Sequence, residues 1–487
     1  MNETLRYALI ILFCSALGLV AVLANRLTER VKVPVALLVL VGAAVAVNLV
    51  PEIQPPAERT VERVLTVALV LVLFEGGMHI GQKRFREAAA PILSVGVIGT
   101  FLTAGGATLM LHYACGLDWY PAVLVATAVA PTDPAVVFSV LGKREIAGRS
   151  GTILEGESGA NDPVGISLMT SLIAAGGFTA AGFVSVGTQF ALQMLVGVIV
   201  GVIGGRALLV FMRRVALPSE GLYPLRTLAC CLMLYGIATL AHGSGFLAVF
   251  AAGIVIGDAR APFHPEIKRF HGALAGLAEI VAFAVLGLTV DLRVLAHPDV
   301  WIPGVALGVA LTALIRPAAV GASLVGVDLR RNERVFILFA GLKGAVPILL
   351  GEFLRAAHVP DAERLYGIVV VVVIYSVLVQ ATAVPGVAKL LHLPMRTIET
   401  QPWAVGVRLA DEPHGIHRFS VASGSAVEGC SVEELGDRVG DIWVSIVVRT
   451  TGLVPVRGNT ELQAGDEVVV LADPELHDTL AELFGAG

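Results

Sequence analysis

The sequence predicts an all-α polytopic membrane protein of about 13 transmembrane helices, followed by a small α+β cytoplasmic domain. Three observations carry that prediction. Hydrophobic residues make up 56% of the 487 positions and charged ones only 15%, an apolar excess that a soluble core could not bury and that must face lipid. Apolar runs of membrane-spanning length recur from residue 7 to residue 391. From about Glu399 the pattern changes to short alternating segments between glycine-rich turns, the signature of small strands.

A bilayer core about 30 Å thick needs roughly 20 apolar residues of helix. Read on that scale, the spans fall at approximately 7–24, 33–50, 63–80, 90–113, 119–142, 152–174, 188–212, 225–241, 244–258, 273–290, 302–325, 334–352 and 367–391. The first run resembles a secretory signal in the small residues near Ala21 and Ala24. It lacks a basic stretch ahead of it, however, and carries Arg26, Arg30 and Lys32 behind it, as a retained span does.

The loops orient these spans. Lysine and arginine alternate between the two sides, eighteen in the loops of one side against six on the other, N-terminus included. Short cytoplasmic loops hold the excess of basic residues, so the N-terminus is expected outside and the C-terminus in the cytoplasm. A multi-pass protein of the cytoplasmic (inner) membrane is therefore expected. The domain limits expected are 1–395 for the membrane domain and 396–487 for the cytoplasmic one.

In the tail, Val405 to Leu409, His417 to Val421, Ile442 to Val448 and Val468 to Leu471 read as strands. Ser431 and Glu434 form a capping pair ahead of a short helix, and Pro474 opens a last amphipathic helix to Phe484. Such a module serves either regulation by a bound ligand or stability and trafficking.

Several function classes drop out early. A net charge of −5 gives no reason to expect a nucleic-acid partner. The five cysteines, Cys14, Cys115, Cys230, Cys231 and Cys430, show neither a disulfide framework nor metal-ligand spacing. No cofactor is expected.

Chemistry is expected where ionisable groups enter the apolar spans, since each costs several kcal/mol unless paired or hydrated. Those groups are Glu75, Asp133, Glu157, Asp162, Arg316 and Lys343. In the sixth span, Glu157-Ser158-Gly159-Ala160-Asn161-Asp162-Pro163 sets Glu157 over Asn161 and Ser158 over Asp162, four residues apart. This stripe offers a carboxylate, a hydroxyl and an amide oxygen, the hard ligands a monovalent cation takes.

The fifth span is interrupted at Ala130-Pro131-Thr132-Asp133-Pro134, where the prolines remove backbone donors and free carbonyls. The twelfth is interrupted at Gly341, Gly344 and Pro347, with Lys343 between. Each is the fifth of six spans, in sets 1–6 and 8–13 of inverted topology, and paired broken helices of that kind mark a midplane substrate site. Arg316 is a fixed cation that needs an anionic partner, for which Glu157 is suited. Asp162 is then the acid left to change protonation state. Lys343 could snorkel, compensate helix dipoles or modulate transport.

Pro131-Thr132-Asp133, Glu157-Ser158 with Asn161-Asp162, Arg316-Pro317 and Gly341-Leu342-Lys343-Gly344-Ala345 together resemble the monovalent cation/proton antiporter family, on its NhaP-like branch of sodium/proton exchangers. In the tail, Phe419-Ser420-Val421, Gly429 to Leu435 and Gly465-Asp466-Glu467-Val468 resemble a TrkA-C domain.

The resemblance implies thirteen spans, a homodimer, a rigid dimerisation domain and a mobile core that carries the site across. It implies Asp162 as the carboxylate shared by cation and proton, with Thr132, Asp133 and Ser158 lining or orienting the site and Asn161 as polar neighbour. The Asn-Asp pair is associated with electroneutral one-for-one exchange, and Glu157 with Arg316 with a structural ion pair. Potassium is favoured over sodium by the tail and by the Glu-Ser-Gly-x-Asn-Asp-Pro form. Lys343, where arginine is usual, and Gly159-Ala160, where bulkier residues are frequent, depart from the family pattern. For the tail the resemblance implies a small cytoplasmic ligand, such as a cyclic dinucleotide.

Two rivals come from other classes. An intramembrane serine protease would use Gly156-Glu157-Ser158-Gly159 with His242, but leaves Asp133, Asp162 and Arg316 unexplained. A passive cation channel would use the same polar stripe without counterflow.

Overall fold

A computed structural model describes residues 35–50, 53–141, 144–146, 149–177, 180–259, 261–393, 395–397, 415–440, 442–449 and 452–485. The expected first span at 7–24 and the expected strand Val405 to Leu409 lie outside the described residues. The chain divides into two compact units, Met1–Glu399 and Thr400–Gly487.

The first unit is almost wholly helical. Its helices are α1 (Val35–Leu49), α2 (Glu58–Leu93), α3 (Thr100–Cys115), α4 (Trp119–Val129), α5 (Pro134–Leu141), α6 (Arg149–Ala175), α7 (Ala180–Arg214), α8 (Leu222–Leu240), α9 (Gly245–Gly257), α10 (His264–Leu288), α11 (Leu292–Leu295), α12 (Pro298–Ala310), α13 (Arg316–Ser323), α14 (Arg331–Phe339), α15 (Ala345–Ala356), α16 (Ala362–Tyr375) and α17 (Thr382–Leu390). Six helical stretches among the described residues are long and apolar enough to cross a membrane, the longest running Glu58–Cys115. That stretch is not one rod. Gly81, at φ +67°, and Ala88, at φ −121°, break the helical torsions inside α2, and the Gly81 backbone turns where the Asp258 carboxylate lies against it.

Wide π-type turns, which rotate the residues that follow them, join three pairs of helices: Ser94–Gly99 before α3, Leu311–Ile315 before α13 and Ser376–Ala381 before α17. Helices α2 and α9 form the most extensive helix pair, packed through Gly77, Gly253 and Gly257, each facing the backbone of the other helix. Small residues allow that approach, which van der Waals contact then stabilises in place of a hydrophobic drive that lipid does not supply.

Two elements were not legible in the sequence. Strands β1 (Arg144–Ile146) and β2 (Met395–Thr397) pair antiparallel, tying the loop after α5 to the segment after α17. Three-residue strands leave no periodicity to read.

The second unit is an α+β fold. Strands β3 (Ile416–Ser420), β4 (Trp443–Arg449), β5 (Gly452–Val454) and β6 (Glu467–Leu471) form one antiparallel sheet in the order β3-β6-β4-β5. Helices α18 (Val432–Val439) and α19 (His477–Phe484) accompany it. Phe419, Leu435, Val447, Val468, Leu480 and Phe484 share its core. Ser431 caps α18 by accepting from the Glu434 amide while the Glu434 carboxylate accepts from the Ser431 amide, and that bond holds the Glu434 carboxyl below its ordinary range. Strand β5 is a further element the alternation did not reveal.

Candidate functional site: two crossed helix breaks beside a buried carboxylate

The sequence breaks two helices, and the structure brings the breaks together. Between α4 and α5 the backbone of Ala130 to Asp133 leaves the helix, because neither Pro131 nor Pro134 can donate to a helical carbonyl. Between α14 and α15, Ala340 to Gly344 do the same. Where they meet, the Asp133 amide donates to the Leu342 carbonyl at 2.8 Å. The closeness of this crossing requires glycine: a Cβ at Gly344 would overlap the Asp133 carboxylate, and one at Gly341 the Arg316 guanidinium.

Breaking a helix leaves carbonyls without partners at the end of its first half. Two buried cations take them up. Arg316, placed by the π-type turn that precedes it, donates through Nε to the Leu338 carbonyl at 3.1 Å and through Nη2 to the Ile337 carbonyl at 3.1 Å, capping α14. Lys343 donates through Nζ to the carbonyls of Ala130 at 2.9 Å and Pro131 at 3.0 Å, capping α4. Cations at helix C-terminal ends also offset the helix dipole. The Lys343 amide donates in turn to Ser376 Oγ at 2.9 Å, and Gln380 Nε2 donates to the Phe339 carbonyl at 2.6 Å, so the π-type turn before α17 braces the second break.

Helix α6 supplies the acids. Arg316 donates to both carboxylate oxygens of Glu157, at 2.7 and 3.0 Å, in a pair whose side chains are 4% and 3% exposed. Charge-assisted bidentate geometry of this kind holds both ions where single partners would be costly. Thr132 extends the network, donating to Glu157 Oε1 at 3.4 Å and accepting from Asn161 Nδ2 at 2.8 Å, while its amide donates to Asn161 Oδ1 at 3.3 Å. Asn161 therefore holds the first break against α6.

Asp162 lies on the same helix and has a different environment. It is 6% exposed, and its Oδ1 has no hydrogen-bond partner among the described residues. It borders a cavity of about 310 Å³ together with Ser158 and Asp133. The N-terminal ends of α5 and α15 also face that cavity through Pro134, Ala345 and Val346. Thus Glu157, Arg316, Thr132, Asn161 and Lys343 bind one another and the broken backbone, whereas Asp162, Asp133 and Ser158 face the open space. A carboxylate with an unpartnered oxygen, a hydroxyl one turn away and a second carboxylate make an oxygen-only ligand set that fits a hard monovalent cation.

The cavity holds acids the sequence reading passed over. Glu75 was singled out, but Glu155 and Glu279 line the same space, with His79 beside them. Arg84 Nη2 lies 3.2 Å and His79 Nδ1 3.4 Å from Glu155 Oε2. Glu279 interrupts the apolar run of α10, a signal of the same kind that marked Asp133. Glu352 was missed as well. It is 2% exposed and accepts from Arg355 Nη1 at 2.9 Å, close to the expected end of a span, where an acid attracts no notice.

Comparison with known proteins agrees with this architecture. The model of the sodium/hydrogen exchanger transmembrane family matches residues 15–390, and that of the TrkA-C domain matches residues 416–485. A K(+)/H(+) antiporter NhaP of Alkalimonas amylolytica is 34% identical over 390 residues, covering 79% of this chain and 67% of that protein. A K(+)/H(+) antiporter NhaP2 of Shewanella oneidensis is 31% identical over 473 residues, 96% of this chain and 81% of the relative. In fold, the membrane unit is similar to the sodium proton antiporter MjNhaP1 from Methanocaldococcus jannaschii, with a TM-score of 0.66 at 20% identity over 78% of this chain and 99% of that one. The chain therefore belongs to the sodium/hydrogen exchanger family, as a multi-pass membrane cation/proton antiporter followed by a TrkA-C domain.

Proposed function

We propose that the chain exchanges one potassium ion for one proton across the bacterial cytoplasmic membrane, with sodium as the second candidate cation, and that both ions compete for Asp162. One observation carries this reading: Asp162 is the carboxylate at the crossed breaks that faces the cavity with an unpartnered oxygen, while the neighbouring cations are engaged elsewhere. The relatives named as K(+)/H(+) antiporters support potassium.

Competition for one carboxylate couples two gradients, because a site that holds either a proton or a cation must exchange one for the other. A bare carboxylate pays a large desolvation cost when its surroundings close, whereas the occupied one does not, so the loaded site crosses and the empty one stays. Asp133 and Ser158 complete the cation's oxygen shell. Thr132 and Asn161 orient the break, Glu157 with Arg316 fix α6 to α13 and α14, and Lys343 modulates the site through the carbonyls it holds.

In the same reading the membrane domain, 1–395, has thirteen spans in two inverted sets with the N-terminus outside, and works as a homodimer. The domain at 396–487 lies in the cytoplasm and regulates exchange on binding a small ligand, such as a cyclic dinucleotide. The cavity at Asp162, whose lining Glu155 pairs with Arg84, opens to the cytoplasm under this orientation.

Dye-quench assays in proteoliposomes, scanning potassium, sodium, lithium and rubidium across pH, test the proposal. The expected outcome is cation-driven proton counterflow, strongest with potassium. Cation movement that continues without a counter-ion would assign a channel instead.

A further inference from the structure

The last stretch of the membrane unit reaches both broken helices. Within the π-type turn Ser376–Ala381, Ser376 Oγ and Gln380 Nε2 brace the second break. Helix α17 then packs on α5, with Val384 and Ala388 in the same buried core as Val137 and Leu141. Just past its end the Leu391 carbonyl accepts from Asn332 Nδ2, on α14, at 2.9 Å. Strand β2 follows and pairs antiparallel with β1, Met395 opposite Ile146, Arg396 opposite Glu145 and Thr397 opposite Arg144.

Strand β1 lies in the connection between α5, which starts beside Asp133, and α6, which carries Glu157, Ser158 and Asp162. Strand β2 ends at Thr397, and the second compact unit begins at Thr400. A displacement of the chain at Thr400 therefore reaches β2 first, then β1 through the hydrogen bonds between them, and from β1 the two helices that hold the carboxylates. This link opens as readily as it closes. The two strands form a sheet of their own, and a pair of three-residue strands without further neighbours is marginally stable, since each backbone hydrogen bond contributes little net. Paired and unpaired strands supply the two discrete states that coupling between distant sites requires.

We propose that the pairing of β1 with β2 is the switch through which the C-terminal unit sets the rate of exchange. Paired strands hold α5 and α6 in the arrangement seen at the crossed breaks. Separated strands free the connection between those helices, and the ligand state of the C-terminal unit selects between the two through the chain at Thr400. This rests on the regulatory reading of that unit given above and names its route to Asp162.

Disulfide locking tests it in the full-length chain. With Cys14, Cys115, Cys230, Cys231 and Cys430 replaced by serine, Glu145→Cys is combined with Arg396→Cys, or Ile146→Cys with Met395→Cys. Each pair lies directly opposite across the strands, at a separation a disulfide spans, so either suffices. A flexible Gly-Ser insert of about 20 residues between Glu399 and Thr400 slackens the connection in each background. Exchange is followed in proteoliposomes before oxidation, after it and again after reduction. In the reduced chain the insert is expected to change the rate of potassium-driven proton movement about fivefold or more. In the oxidised chain it is expected to have no effect, and reduction is expected to restore the difference. An insert effect of equal size in both forms would overturn the proposal by showing that the C-terminal unit acts by another route. No insert effect in the reduced chain, or failure of both cysteine pairs to cross-link in a protein that exchanges cations, would overturn it as well, and all three results leave the antiport reading intact. Absence of cation-dependent proton movement in the wild type and in every variant would instead sink the antiport reading itself.

Discussion

The ammonium of Lys343 lies 2.9 Å from the carbonyl oxygen of Ala130, so the cation of one broken helix caps the end of the other. Removing it leaves buried carbonyls at the end of α4 without their charged donor. Hydrogen bonds to charged groups contribute about 1.5–3 kcal/mol each. Lys343→Met is expected to lower the thermal midpoint of the purified protein by several degrees, and an unchanged midpoint would show that the cap is dispensable.

Glu157 and Arg316 stand or fall together. Breaking a buried pair by removing one partner costs about 3–5 kcal/mol, because the remaining charge keeps no counter-ion. Glu157→Gln and Arg316→Ala are each expected to reduce the yield of folded protein before any effect on transport is measurable. Normal yield with a normal melting profile for either variant would contradict the pairing.

Glu279 faces the same cavity as Asp162 from α10. A carboxylate there raises the local concentration of cations near Asp162. Glu279→Gln is expected to raise the cation KM severalfold with the maximal rate nearly preserved, measured from the face carrying the C-terminal domain. Equal loss of maximal rate and affinity would instead place Glu279 in the site itself.

Acid should loosen the C-terminal unit through Asp466. Arg449 donates to both its oxygens at 2.8 Å, and this bond holds the Asp466 carboxyl below its ordinary range. A depressed folded pKa means that the stabilisation is complete above the unfolded value, about 3.9, and is lost as pH falls through the folded one. Amide exchange of β4 and β6 in the full-length protein is expected to be faster in Asp466→Asn than in the wild type at neutral pH, and the difference is expected to shrink as pH falls and the wild-type carboxylate is protonated. Matching exchange in the two proteins at neutral pH would rule the pair out as a stabiliser.

The parts of this architecture visible in the sequence are those in which a residue contradicts its surroundings. Two prolines around Thr132-Asp133 and a lysine among glycines are anomalies in apolar helices, and both proved to be helix breaks. Arg316 and Glu157 were conspicuous for the same reason, and they meet in space across 159 positions of sequence. Periodicity cannot show such distances, nor which acids share one cavity. Glu155 escaped notice because Arg84 and His79, which face it, lie some seventy residues away. The pairing of β1 with β2 joins residues about 250 positions apart through three-residue strands, and no local pattern encodes it.

Asp162→Asn examines the shared-carboxylate claim most directly, since the amide keeps the shape of the side chain while losing its charge and its proton. In proteoliposomes loaded with a pH-sensitive dye, the variant is expected to insert and melt like the wild type and to show no proton movement when potassium is added. Proton movement at the wild-type rate would contradict the account.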